Sequence, residues 1–587
     1  MALTLLDVLT FLAFIVLVVG VSLYASRREE SSEDYFLAGR KLSWWLIGFS
    51  LIASNISTEH FVGMAGSAFG RVGLAIASYE WMSAITLVIV AWWLLPKFLR
   101  IGIYTMPEFL EYRYDGVTRT IMAFYLMALY VIALLATVLY SGSQGLNGVF
   151  DFSGMLVDNF GMSEAAASQA ALYGGIWFIG IVAAAYTVFG GLKAVVWSDL
   201  LQGGALLIGG AIVLYFGLLL TGGGTLGENG GVEGGSLAAG WARFTEHNAS
   251  KLHVVLPWND PDVPWLAVFV GGLWIPNLFY WGLNQFITQR TLGARDLSEG
   301  QKGIYLACVF KLLIPFIIVF PGIMAFDMFG SQIMDLAHGD VSKAGEHAYP
   351  YLISRIMPPF LRGIMLAALA GAVMSTFNSG INSASTIFTL DLYKKYFDPQ
   401  ASTRKQVKVG RYATAIIALF ACLIAPLPGS FKGVFAYIQE IWGFISPGIV
   451  AAFLGGILLP RAPTACGRIV LLLGPVLYAF ARVPKWIFQG VYKVDKGILY
   501  PESPESTQPI GGFQQALFDF NNIAFLHHMA MIFIVLMAVM IWMTARKPLR
   551  EPVTYPQSDI DVRTRPSTYV HGSLIILATT CLYILFW

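Results

Sequence analysis

The chain has 587 residues, of which 57% are hydrophobic and only 12% are charged. A soluble globular chain carries about twice that share of charged residues, so the composition excludes an ordinary soluble protein. The formal net charge of +2 gives no reason to expect nucleic acid as a partner. The four cysteines are scattered and lack metal-ligand spacing.

Apolar runs long enough to cross a bilayer recur along the whole chain, which makes the lipid bilayer an expected partner. We predict about fourteen membrane spans, at approximately 5–26, 43–66, 72–97, 120–148, 169–190, 194–221, 264–288, 303–328, 348–394, 411–428, 432–460, 466–487, 523–545 and 568–587. The first run precedes Arg27 and Arg28 without a small-residue cleavage site, which favours a helix over a signal peptide. The ninth is too long for one helix and predicts an amphipathic helix leading into it.

Two of the predicted spans contain polar interruptions at corresponding places, five spans apart. The second holds the run Ser54 to His60, and the seventh holds Pro276-Asn277 followed by Asn284-Gln285. Paired broken helices of this kind mark the binding site of many transporters. Because each half has an odd number of spans, the two halves must be inverted relative to each other.

These features divide the chain into five parts. They are an extra N-terminal helix with its loop (1–42), a first five-helix repeat (43–221), an external glycine-rich loop (222–263), a second, inverted five-helix repeat (264–460) and three additional C-terminal helices (461–587). Most of the 37 Lys and Arg residues, including those at 290–302, fall in loops that are cytoplasmic if the N-terminus is outside. We therefore expect both termini outside a plasma membrane, or outside the inner membrane if the source is bacterial.

Ionisable residues inside spans are costly and are functional hypotheses by default. Four occur here: Glu80, Asp199, Lys311 and Glu440. Each has a plainer alternative, because Lys311 is placed to extend to the cytoplasmic surface and Asp199 to pair with a nearby cation. Glu440 has the alternative of a structural hydrogen bond.

Polar groups at mid-membrane depth predict a site for a hydroxyl-rich solute. Glu80 and Ser83 lie one helical turn apart, and Asn277, Gln439 and His60 add further hydrogen-bonding groups. A sugar needs such a set because every hydroxyl both donates and accepts. The aromatic residues Tyr79, Tyr280 and Trp281 offer flat faces for its ring, or are interfacial belt residues.

A second cluster predicts a site for a monovalent cation. Ala372, Ser375 and Thr376 share one helix face, and the break near Ala53 and Ile56 frees backbone carbonyls. Such an oxygen cage has no carboxylate, which argues against calcium. The alternative is that the hydroxyls only join two closely packed helices.

Several long, ungapped stretches resemble the sodium/solute symporter family, including its bacterial sodium/galactose and vertebrate sodium/glucose carriers. They are EDYFLAGRKLSWWLIGFSLIASNIS, GLAIASYEWMSAITL, GGLKAVVWSDLLQ, NLFYWGLNQFITQRTL, NSASTIFTLDLY and YIQEIWGFISPGI. The resemblance implies an all-α membrane fold with two inverted five-helix repeats, and sodium-coupled uptake of a hexose, glucose or galactose, by alternating access. It implies a transporter and not an enzyme.

The resemblance also implies roles for individual residues. The sugar ligands would be His60, Glu80, Ser83, Asn277, Lys311 and Gln439, and the gates would be Met64, Tyr79, Tyr280, Trp281 and Phe435. Sodium would be held by the carbonyls of Ala53, Ile56 and Ala372 and the hydroxyls of Ser375 and Thr376.

The chain departs from its relatives at three positions near the expected sites. His60 stands where the galactose carrier has Gln, Thr376 replaces a Ser, and Asn378 stands where relatives have Ala or Thr. Asp199, Ser375, Asn378 and Ser379 are a possible second sodium site, so the ion count is one or two. The alternatives for function are symport of inositol, a nucleoside or sialic acid, or a sugar sensor or leak channel.

Overall fold

The computed structural model describes residues 4–27, 31–57, 59–228, 230–427, 434–492, 520–521 and 523–587. The longer helices are Leu5–Ala25, Trp44–Asn55, Ser78–Ile89, Leu95–Ile101, Met106–Arg113, Gly116–Leu129, Ala136–Phe150, Phe152–Phe160, Glu164–Thr221, Leu237–His247, Gln285–Leu292, Leu297–Leu336, Val341–Ile356, Leu361–Ile387, Thr403–Ile424, Val434–Leu458, Ala465–Tyr492, Phe525–Arg546 and Pro566–Leu585. The short α-, 3₁₀- and π-helical segments are Ser32–Leu37, Ala38–Arg40, Glu59–Met64, Ala65–Phe69, Gly73–Ala77, Val90–Leu94, Tyr130–Leu135, Ala249–Lys251, Trp265–Phe269, Trp274–Leu278, Phe279–Leu283 and Phe388–Phe397.

Twelve helices of the described chain are long and apolar enough to cross a membrane. The helix Glu164–Thr221 covers two of the predicted spans, which meet at Gly191, where φ is 48° and ψ −148°. The second predicted span is divided among shorter helices and is not among the twelve. The helix predicted to lead into the ninth span is Val341–Ile356, separate from Leu361–Ile387. The number of membrane crossings stays a prediction.

Each of the two broken spans contains a residue with extended backbone angles, and the angles of the two residues are similar. In the first broken span (residues 44–69), Ile56 has φ −80° and ψ 112°. In the second broken span (residues 265–292), Asn284 has φ −90° and ψ 118°. The second break therefore falls at Asn284, whereas Pro276 and Asn277 lie in the short helix Trp274–Leu278. Proline fits there because a first-turn residue needs no helical N–H bond.

Small residues let these broken spans pack closely against their neighbours. A side chain at Gly66 would come within 2.7 Å of the backbone of Gly345, and one at Gly203 within 2.8 Å of Ala53. Close backbone approach of this kind is how helices pack in lipid, where apolar burial gives little driving force. The first broken span is thereby held between the helices Val341–Ile356 and Glu164–Thr221.

The segments between spans carry some structure of their own. The glycine-rich loop forms the antiparallel strands Thr225–Leu226 and Val232–Glu233, followed by the helix Leu237–His247. Nearby, Arg71 pairs with Asp260 at 2.5 Å. Most of the predicted loop 488–522 lies outside the described residues.

Candidate functional site

A cavity lined by polar and aromatic side chains lies between the two broken spans. Its walls come from both breaks and from the helices Ser78–Ile89, Leu297–Leu336 and Val434–Leu458. All six side chains predicted to bind a sugar line it: His60, Glu80, Ser83, Asn277, Lys311 and Gln439. Residues far apart in the chain thus meet in one chamber.

An ion pair forms one wall of this cavity. The Lys311 ammonium lies 2.6 Å from Glu80 Oε2, and the Lys311 side chain is only 1% exposed. Lys311 also donates to Asn55 Oδ1, and His60 Nε2 lies 3.6 Å from Glu80 Oε1. The alternative in which Lys311 extends to the membrane surface is therefore wrong. A buried ammonium needs such a partner because isolated charge is strongly disfavoured away from water.

Aromatic side chains line the cavity beside the ion pair. Tyr280 accepts a hydrogen bond from Asn55 Nδ2 at 3.1 Å and meets the Trp281 ring edge to face at 5.1 Å. Lys311 Nζ lies 4.7 Å from the centre of the Trp281 ring, a cation–π distance. Of the remaining predicted gate residues, Met64 and Tyr79 also line the cavity, whereas the side chain of Phe435 lies outside the described part.

Thr376 joins the cavity to the break predicted to bind sodium. Its hydroxyl donates to the Ser54 carbonyl at 3.0 Å, and Thr376 itself lines the cavity. The N–H of Ser57 is directed to His60 Nδ1 at 3.4 Å, in place of the helical bond to Ala53. The carbonyls of Ala53 and Ile56 belong to this helix end, and Ala372 lies one turn before Thr376. These carbonyls and the Thr376 hydroxyl are neutral oxygens of the kind that a hard monovalent cation binds, whereas the fifth predicted ligand, Ser375, hydrogen-bonds a carboxylate.

Ser375 faces a different group from its neighbour. Its hydroxyl donates to Asp199 Oδ1 at 2.5 Å, and the Ser50 hydroxyl donates to Asp199 Oδ2 at 2.5 Å. The Ser379 hydroxyl lies 2.9 Å from that of Ser54, which in turn donates to Asp199 at 3.1 Å. Three of the four residues predicted for a second sodium therefore belong to one buried network.

Arg290 completes this network and corrects the sequence analysis, which counted it among cytoplasmic loop residues. The side chain is 1% exposed, and one guanidinium nitrogen lies 3.5 Å from Asp199 Oδ2. The guanidinium also donates to Ser50 at 2.6 Å and to the hydroxyls of Ser54 and Ser379. Since the short helix Gln285–Leu292 turns inward after the break at Asn284, Arg290 is buried despite its place near a predicted loop.

The fourth predicted member, Asn378, and the span residue Glu440 have other neighbours. Asn378 Nδ2 donates to the Tyr186 hydroxyl, and Asn378 Oδ1 is buried with no hydrogen-bond donor among the described residues. Glu440 pairs with Arg482, which lies on the neighbouring helix Ala465–Tyr492. That pairing favours the structural alternative for Glu440.

Two features of the site were not assigned by sequence analysis. Arg290 was missed because charge counting treats every basic residue near a span end as exposed. Trp442, on the helix Val434–Leu458, lines the cavity and lies 6.0 Å from the Tyr280 ring. Only the spacing of Trp442 from Gln439, about one turn, would have placed it on the same helix face.

A helical membrane fold with two broken spans around a buried polar chamber defines a secondary transporter. The family model "Sodium:solute symporter family" matches residues 35–470, and the chain belongs to that family. The chain is 39% identical to the sodium/glucose cotransporter of Vibrio parahaemolyticus over 81% of this chain and 85% of that protein. It is 31% identical to the mouse sodium/myo-inositol cotransporter 2 over 80% of this chain and 69% of that protein.

A solved structure supports the same fold at lower sequence similarity. A sodium-coupled sialic acid symporter in a substrate-bound outward-open state aligns with a TM-score of 0.69 at 17% identity, covering 94% of this chain and 99% of that one. The predicted resemblance and the predicted helical membrane fold are therefore confirmed. The chain is a sodium-coupled solute symporter and not an enzyme, and sodium is its coupling ion.

Proposed function

We propose that this symporter takes up a neutral hexose, glucose or galactose, together with sodium. The observation that carries the proposal is a chamber lined both by the hydrogen-bonding side chains of Glu80, Lys311 and Asn277 and by the aromatic side chains of Tyr280 and Trp281. Hydrogen-bonding groups together with aromatic faces suit a ring with hydroxyls at its edge and C–H groups on its faces. Similarity to a sodium/glucose cotransporter supports the same solute class.

In this proposal, sodium binds first at the break and sugar second in the chamber. The ion is held by the carbonyls of Ala53, Ile56 and Ala372 and the hydroxyls of Ser375 and Thr376. It joins the first broken span to the helix Leu361–Ile387, and the sugar then completes the chamber. The gate residues Met64, Tyr79 and Phe435 close above the sugar, and Tyr280 and Trp281 open below it. The membrane potential contributes about 2.3 kcal/mol per charge for each 100 mV.

A cyclic polyol such as inositol is the second candidate solute. It presents the same hydroxyl pattern, and the 31% identity to a sodium/myo-inositol cotransporter favours it over a nucleoside. A carboxylated sugar such as sialic acid is less suited, because Lys311, the cation lining the described cavity, already pairs with Glu80. A sugar sensor or leak channel would bind the solute without accumulating it.

Uptake into proteoliposomes tests the proposal. Labelled D-glucose, D-galactose, myo-inositol and N-acetylneuraminic acid are offered with an inward sodium gradient, or with potassium or protons as the only gradient. We expect one of the two hexoses to accumulate with sodium alone. Accumulation of myo-inositol but of neither hexose would show that the solute is the second candidate, a cyclic polyol. Equal accumulation with a potassium gradient alone would contradict sodium coupling through this site.

The variant Gln439→Ala tests whether the chamber reads the hydroxyls. Discrimination is strong when one partner of a hydrogen bond between the site and a substrate hydroxyl is missing. Removing the Gln439 side chain therefore tests whether it makes such a bond. We expect Gln439→Ala to lose nearly all hexose uptake while Gln332→Ala, on an exposed part of the helix Leu297–Leu336, retains it. Normal uptake by Gln439→Ala contradicts the assignment of this residue.

A further inference from the structure

Trp442 is a large side chain of the cavity lining that takes no part in the ion pair or the proposed gates. It lies on the helix Val434–Leu458 and lines the cavity together with Ile438 and Gln439. Offsets of three and four residues put these side chains on one face of the helix, with neighbouring Cβ atoms about 5–6 Å apart. A solute that hydrogen-bonds to Gln439 would therefore lie beside the Trp442 indole.

The Trp442 ring packs against the second broken span. Its centre lies 5.4 Å from that of the Phe279 ring, and 6.0 Å from that of the Tyr280 ring, which it meets edge to face at 88°. Phe279 and Tyr280 line the same cavity. Trp442 is only 5% exposed, so protein atoms surround most of the indole and hold its orientation. The ring therefore cannot turn aside for a larger solute without disturbing these contacts.

The helix that carries Trp442 is also closely packed on another side. Gly443 follows Trp442, and a Cβ atom at Gly443 would collide with the ring of Tyr478, a fully buried residue of the neighbouring helix Ala465–Tyr492. The two helices therefore have no spare space between them at this level. A close-packed interior resists the insertion of even a few additional atoms. Trp442 thus forms a boundary of the cavity with little room to yield.

We propose that Trp442 is a further specificity-determining residue, which limits the size of the solute at the ring position beside Gln439. This inference rests on the proposed function and deepens it. The chamber accepts an unsubstituted hexose and rejects a hexose that carries an added group at the position next to the indole. Discrimination of this kind arises from a steric clash with the wrong solute and needs no additional attraction to the right one.

Competition against sodium-driven uptake of labelled D-galactose tests this role. The competitors are the mono-O-methyl derivatives of D-galactose, one for each hydroxyl, so that each adds a methyl group at a single position. In the unmodified protein we expect at least one derivative to compete about tenfold more weakly than D-galactose, and Trp442→Leu should recover most of that factor at one position or at adjacent positions. A derivative that is rejected only because it lacks a hydroxyl donor gains nothing from Trp442→Leu. The proposal is overturned if the unmodified protein accepts every derivative as well as D-galactose, if no derivative gains in Trp442→Leu, or if all of them gain equally.

A matched control separates a local size limit from general loosening of the helix. Phe453 lies on the same helix and is fully buried against Phe98 and Phe109, outside the cavity lining. Phe453→Leu should therefore keep the competition ratios of the unmodified protein, and a gain as large as that of Trp442→Leu would contradict the proposal. Trp442→Phe removes less of the side chain, should shift the same ratios by a smaller factor, and replaces Trp442→Leu if that variant fails to fold.

The outcome for Trp442 can be distinguished from the outcome for the proposed hexose. Thermal stabilisation of the purified protein in sodium by the same compounds measures the ratios without uptake. If myo-inositol accumulates and neither hexose does, the mono-O-methyl ethers of myo-inositol replace the galactose derivatives. A gain confined to some of those ethers in Trp442→Leu then supports the size limit although the proposed hexose fails. If no compound of either set stabilises the unmodified protein, the inference fails together with the function on which it rests.

Discussion

The buried pair of Glu80 and Lys311 gives a prediction that separates a structural from a ligand role. Removing one partner of a buried ion pair leaves an uncompensated charge and destabilises by about 3–5 kcal/mol. We therefore expect Lys311→Met to lower the free energy of unfolding by about that amount, since Lys311 is 1% exposed and Glu80 4%. The loss corresponds to a factor of roughly a hundred or more in the folded-to-unfolded ratio.

The double variant Glu80→Gln/Lys311→Met removes both charges together. Because no uncompensated charge remains from the pair, it should recover most of the lost stability, and the double-mutant cycle should show strong coupling. Hexose uptake should not recover, because both side chains are proposed sugar ligands. Unfolding in mixed micelles and uptake in proteoliposomes measure the two effects. Strictly additive losses of stability, or full uptake by the double variant, would refute this reasoning.

Three other predictions concern the ion sites and the external loop. Thr376→Ala should raise the sodium concentration for half-maximal uptake about tenfold with little loss of folded protein, and an unchanged sodium dependence counts against the cage. The reversal potential of the sugar-coupled current should fit two sodium ions per sugar in the unmodified protein and one sodium ion per sugar in Asn378→Ala. A reversal potential that fits one sodium ion in the unmodified protein ends the two-site hypothesis. Burial opposes ionisation of Asp260, but hydrogen bonds from Arg71 and the backbone outweigh it and lower the pKa of this carboxyl below 3.8. Asp260 thus stabilises the loop above pH 3.8, and this stability is lost as pH falls through the lowered pKa. Asp260→Asn should therefore unfold at a lower temperature near neutral pH and show a smaller further decrease on acidification; unchanged acid sensitivity would contradict the pairing.

The second-site prediction depends on two opposing observations. The buried Oδ1 of Asn378 lacks a donor among the described residues, which favours an added cation nearby. Arg290 already places a positive charge 3.5 Å from Asp199, which opposes a second ion in this conformation. The reversal potential of Arg290→Met would show whether this guanidinium limits the number of ions. If the unmodified protein reverses at the one-sodium voltage, a shift of Arg290→Met to the two-sodium voltage would identify this guanidinium as the group that excludes the second ion.

Apolar run length predicted most of the fold because lipid forces every spanning segment into helix. The broken spans were also visible, since Ser54 to His60 and Asn284-Gln285 interrupt apolar stretches. Composition did not locate the second break, because proline at Pro276 fits the first turn of the helix Trp274–Leu278 and does not break it.

Some residues of the site could be predicted from the sequence and others could not. Ionisable residues such as Glu80 and Lys311 were found because charge within a span is rare and therefore informative. Arg290 was missed because its burial depends on the chain turning inward at Asn284, a tertiary feature without a local signal. The sequence also did not show that the adjacent residues Ser375 and Thr376 have different hydrogen-bond partners. Adjacent side chains on a helix point about 100° apart, but the sequence does not say which packing partner each direction meets.

The helix break at Ile56 has a practical meaning for handling the protein. A helix that stops inside a membrane leaves carbonyls that neither its own backbone nor lipid satisfies. An ion that binds only the folded chain stabilises it by mass action, by about 2.7 kcal/mol at a hundred times its dissociation constant. If sodium binds at this break as proposed, it stabilises the solubilised protein in addition to driving transport. Replacing it with a larger cation during purification should shorten the lifetime of the sample before any transport is measured.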